Sequence, residues 1–187
     1  RPVSSLLPLM LALALTIEMA DAKSPQSELQ FSPPAGWVLA DYVSTDIREF
    51  SVYLPKGDRL DQWSEKIVIF RSAVMPDSLL RRIIDVKPSY MAKKCAAKPF
   101  FNKFGDFENG LSVVIACDER KKSYVPEGED RRKSELVRIY GIWKNQRVYM
   151  VRHFWHSNEV SATEMLSDPA IRQRFEQAKR ALEFLRK

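Results

Sequence analysis

The chain has 187 residues, with 30 Lys and Arg against 24 Asp and Glu and a net charge of +6. That length suits one domain able to bury a single core without metals or many cross-links. Its six glycines form no run that would cradle a phosphate, so nucleotide-loop chemistry is excluded.

Leu6 to Ile17 is an apolar run of about a dozen residues behind Arg1, short of the roughly 20 that a membrane-spanning helix needs. With small residues at Ala20 and Ala22, it reads as a signal peptide over 1–22, cleaved after Ala22. The expectation is an exported protein, periplasmic or secreted, with no stable membrane anchor after cleavage. Losing Arg1, Glu18 and Asp21 with the leader raises the net charge from +6 to +7.

Residues 23–30 are polar and read as a flexible N-terminal segment, leaving 31–187 as a single α+β domain. Pro33-Pro34-Ala35-Gly36-Trp37 predicts a turn that delivers Trp37, as a core anchor, to an extended segment. Ile47 to Leu54 alternates, with Phe50, Val52 and Leu54 on one face and Glu49, Ser51 and Tyr53 on the other. Trp63 to Phe70 supplies the next strand, rich in β-branched and aromatic residues, paired antiparallel with the first. Pro76-Asp77-Ser78 opens a helical pattern through Leu80, Ile83, Ile84 and Met91, kinked by Pro88.

Leu111 to Cys117 is a further strand, with Leu111, Val113, Ile115 and Cys117 on one side. In an oxidising compartment Cys95 and Cys117 read first as a disulfide, with two buried free thiols as the alternative. Glu119 to Glu135 is a long charged loop broken by Pro126 and Gly128. Leu136 to Trp143 and Arg147 to Trp155 form a hairpin around Lys144-Asn145-Gln146. Ser161 to Glu164 matches a capping box, and Asp168-Pro169 starts a helix whose Ile171, Phe175, Ala178, Leu182 and Leu185 make one apolar stripe.

Pro34-Ala35-Gly36-Trp37, the strand Lys66 to Phe70, the helix start Asp77-Ser78-Leu79-Leu80 and the terminal helix from Asp168 follow in an order that resembles the Mog1/PsbP-like α/β/α sandwich. The resemblance implies an antiparallel sheet packed by helices on both faces and a non-enzymatic adaptor or accessory role. Fold alone does not fix function.

The residues offer little to chemistry. His153 and His156 stand three apart on a strand, so alternation sends them to opposite faces and away from a shared ion. Ser112 lacks the second glycine of a nucleophile elbow. Glu127, Glu129 and Asp130 lie in the charged loop, where solvent keeps their acidities ordinary. No catalytic, metal or cofactor set is expected. Nucleic-acid binding is not expected either, since no recognised module is present.

Two surfaces remain for a protein partner. Arg120, Lys121, Lys122, Arg131, Arg132 and Lys133 bracket the long loop, though interleaved acids also allow a plain solvated loop. The hairpin, with Arg138, Lys144, Arg147 and Arg152, carries bulky residues on both faces. Either helices cover the sheet twice, or one face exposes aromatics such as Trp155. The expected contact surface comprises Arg131, Arg132, Lys133, Arg147 and Trp155. A small hydrolase with an unrecognised site, and an inhibitor or immunity-type protein of an exported enzyme, are the alternatives.

Overall fold

Among the described residues, stretches rich in apolar, β-branched and aromatic side chains form seven strands, and all seven join one sheet. A computed structural model describes residues 31–76, 78–79, 93–107, 110–121, 123 and 133–183. The strands are β1 (Trp37–Thr45), β2 (Arg48–Pro55), β3 (Glu65–Ser72), β4 (Phe100–Phe107), β5 (Gly110–Cys117), β6 (Ser134–Lys144) and β7 (Arg147–Ser157). Helices α1 (Ala162–Ser167) and α2 (Pro169–Glu183) follow. The spatial order is β1-β2-β3-β7-β6-β5-β4, antiparallel at every step.

The α+β class and the disulfide are as expected, in a fold dominated by its sheet. The helices α1 and α2 pack on one face, over Ile67, Leu136, Tyr140, Val151 and Trp155, with Ile171, Phe175, Ala178 and Leu182 of α2 buried against them. The other face carries the expected β5 set, in which Leu111, Val113, Ile115 and Cys117 pack with Val137, Ile139, Val148, Met150 and Cys95. Hairpin β6–β7 is therefore buried on both sides.

Local chemistry fixes the turns. Gly36, at φ +80, sits third in the turn closed by the Trp37 amide on the Pro34 carbonyl (3.1 Å), a backbone conformation a side chain would strain. Asn145 and Gln146 both take positive φ (51° and 58°), the two-residue turn whose twist suits a hairpin. Ser161 and Glu164 make the capping box, and Asp168 Oδ1 accepts from the amides of Ala170 (2.7 Å) and Ile171 (3.2 Å) at the start of α2.

Some expectations shift. Strand β4 had no counterpart in the sequence reading. Ile47 lies in the β1–β2 turn, 70% exposed, rather than within the strand. Trp63 precedes β3, which starts at Glu65. Ser78 and Leu79 are helical; the rest of that pattern, with Asp77 and Pro88, lies outside the described residues. So do the leader, with Ala20 and Ala22, the 23–30 segment, and Leu185.

Candidate functional site

The ladder between β6 and β7 runs from Ser134↔Ser157 to Lys144↔Arg147. At about 3.4 Å per residue its ends stand roughly 34 Å apart. Lys133 thus lies at one pole of the sheet, and Arg147 at the other. This corrects the single surface expected of the loop and hairpin, because one small contact cannot include both. Arg147 is half-buried, its Nη1 donating to the Ser72 carbonyl (3.1 Å). Trp155 is a second correction: it is 3% exposed, a core residue under the helices. Lys133 is half-exposed, whereas Arg131 and Arg132 lie outside the described residues. Arg138 donates to the Leu166 carbonyl (3.2 Å) at the end of α1, and Arg152 lies over the Phe70 ring.

The pole that carries Lys133 also carries the disulfide. Cys95 and Cys117 are bonded, with Cα atoms 5.4 Å apart. The bond indicates an oxidising compartment. Next to it the Ala96 amide donates to the Glu119 carbonyl (2.8 Å) and the Lys121 amide to the Lys94 carbonyl (2.7 Å). Cys95 and Arg120 face each other in this short ladder, Arg120 being buried. Beside it opens a cleft of about 310 Å³ between the end of β5, the disulfide segment and the start of α1. Lys98, Pro99, Phe100, Asp118, Glu119 and Thr163 are among its lining residues. Phe100 is 47% exposed there. Asp118 Oδ1 is taken by the Ala162 amide at 2.7 Å.

Both histidines lie toward this pole, each beside a glutamate on a neighbouring strand. His156 is on the disulfide face, 3.5 Å from Glu135 and stacked on Trp63, whose ring also carries the Lys66 ammonium at 3.8 Å. His153 is on the helix face, wholly buried, its Nε2 2.7 Å from Glu65 Oε1. Arg174 of α2 donates to the same oxygen (2.7 Å). Trp155 packs on the imidazole at 3.6 Å between centroids, and Trp37 meets it edge-on at 6.0 Å. The opposite-face placement of the two histidines is as alternation dictates. Glu65 and Arg174 were not singled out in the sequence, although the period of two already places Glu65 on the face of Ile67 and Ile69.

A neutral imidazole fits this site, donating Nε2–H to Glu65 and leaving Nδ1 as a bare acceptor with no partner among the described residues. Burial pushes the His153 pKa from 6.5 down to about 4, against the pull of Glu65 and with the push of Arg174 and Arg138. For Glu65, burial favours the neutral acid, but His153 and Arg174 outweigh it and hold the carboxyl below its ordinary value. An unfolded chain takes up the His153 proton near pH 6.5, and the folded one refuses it until about 4. The stability this gives is full above pH 6.5 and drains away as pH falls toward 4. Urea midpoints measured from pH 7 to pH 4 should fall with this slope, and His153→Gln should flatten it. An unchanged slope in that variant would assign the acid sensitivity to another group.

Among the described residues no three His, Cys, Asp or Glu side chains group to hold a metal ion. No described helix is long and apolar enough to cross a membrane. No family model matches the chain, and no curated protein or solved structure matches it either.

Proposed function

We propose that this chain is an exported, non-enzymatic binding or accessory domain, periplasmic or secreted, that works without a cofactor and meets a protein partner at its disulfide pole. The observation that carries the reading is the open cleft of about 310 Å³ with Phe100 47% exposed beside it. A large aromatic left half in water at a concave site is a feature that contacts use. The disulfide, and the leader expected over 1–22, support export. An antiparallel sheet with α1 and α2 on one face, and a helical start at Ser78, is compatible with a sandwich of the Mog1/PsbP-like kind.

A hydrolase reading is less well supported. Its base would be His153, which is 0% exposed and bonded to Glu65. The thiols it would activate are joined to each other on the opposite face. The inhibitor or immunity reading is a special case of binding, distinguished by one tight partner in place of several weak ones.

Photo-cross-linking in the native envelope tests the proposal. A photoreactive residue at position 100 should trap a discrete protein partner. The same residue at position 47, more exposed but at the far pole, should trap none. Cross-links at 47 with none at 100 would sink the reading, and a single partner that withstands washing would point to the inhibitor form.

A further inference from the structure

We propose that the cleft at the disulfide pole takes an acidic peptide segment with one apolar side chain among its carboxylates, an inference that builds on the pole being the contact surface. Two segments distant in sequence bring lysines to this place. Lys93, Lys94 and Lys98 come with the first, Arg120 and Lys121 with the second, and the Cys95–Cys117 bond and the Lys94–Lys121 backbone bond hold the two together. Lys93, Lys98 and Lys121 are exposed, and Lys133 is half-exposed at the foot of β6.

In the short ladder Arg120 shares the inward side of Cys95. Lys121 beside it is exposed and Lys94 half-buried. Arg120 and Lys94 both act on Glu135, and Arg120 and Lys133 both act on His156, so these cations share one neighbourhood. The exposed Lys93, Lys98 and Lys121 attract a negatively charged ligand and quicken its approach.

The cleft itself is of a different character. Ala97, Pro99, Phe100, Ala116 and the disulfide give it apolar wall, while Asp118 and Glu119 line it too. Those acids repel a ligand carboxylate from the interior and send it to the lysines at the rim, which leaves the interior for an uncharged side chain. A concave site with part of its wall apolar, Lys98 in its lining and further exposed lysines beside it matches a peptide better than a lipid surface, which has nothing to place in a hollow.

Fluorescein-labelled nonapeptides of Asp and Glu supply the probe, with Leu at the centre in one and Ala in the other. Fluorescence anisotropy of the full mature protein should show the Leu peptide binding at least tenfold more tightly than the Ala peptide. It should bind at least tenfold more weakly to Lys98→Glu/Lys121→Glu and to Phe100→Ser, and equally well to Arg147→Glu. All altered positions but Arg147 are exposed, and unchanged thermal melting shows that the variants fold. Equal affinity for the two peptides overturns the proposal, as does the absence of binding to either. Sedimentation with phosphatidylglycerol vesicles in place of peptide binding also overturns it, in favour of a membrane. Each of these failures leaves the position-100 cross-link to decide separately whether the pole is the contact surface.

Discussion

Phe175→Ala is expected to destabilise the protein by about 4 kcal/mol, within the range for emptying a buried aromatic site. Phe175 is 3% exposed at the centre of the stripe by which α2 lies on the sheet. Its ring lies 6.5 Å from the His153 imidazole and 5.7 Å from the Arg138 guanidinium. Truncation removes the apolar contacts and also part of the wall that keeps water from the Glu65–His153–Arg174 cluster. Phe175→Leu retains most of the volume and should cost less than about 1.5 kcal/mol. Urea denaturation of the two variants measures the difference. A cost below about 1 kcal/mol for the alanine variant would mean that α2 is not docked through this residue.

The second large effect belongs to the disulfide. Replacing Cys95 and Cys117 together by Ser should cost about 3 kcal/mol on the chain-entropy model, for a sequence separation of 22 residues. Both sulfur positions are buried, at 4% and 7% exposure, so each Ser hydroxyl must also find a partner in an apolar place. The Lys94–Lys121 ladder then loses its covalent tie and keeps its backbone bonds. Thermal melting of the double variant against the oxidised protein gives the cost. Equal melting temperatures would show that the two segments are held by packing without the bond.

Strand β2 and helix α2 are legible because their apolar residues recur with a period of two, or of three and four, and β3, β5, β6 and β7 because runs of β-branched and aromatic residues mark them. The two edge strands are less so, for one physical reason. Strand β1 shifts register between Leu39 and Asp41, and β4 between Phe104 and Asp106. An inserted residue breaks the alternation on which strand reading depends. Bulges at sheet edges also discourage pairing with another chain, so the feature that hides these strands in the sequence protects them in the fold.

The candidate site divides in the same way. Pairing Cys95 with Cys117 needed only a count of two and a compartment. Placing Trp155 needed to know which face of β7 the helices cover, and aromatic residues on both faces carry no such mark. Separating Lys133 from Arg147 needed the register of an eleven-residue ladder, since the two are close in sequence and far apart in space. The Phe100 cleft depends on β4, β5 and α1 meeting, which no local pattern records.

The β3–β7 ladder has a bearing on how the protein is made. Among the described residues it is the ladder that joins the β1–β3 meander to the rest of the sheet, and its pairs lie from 78 (Arg71↔Tyr149) to 90 (Glu65↔Trp155) residues apart in sequence. Until the C-terminal hairpin has been made and has paired with β3, Ile67, Val68, Ile69 and Phe70 stand on an open apolar edge, the kind that invites association with other unfolded chains.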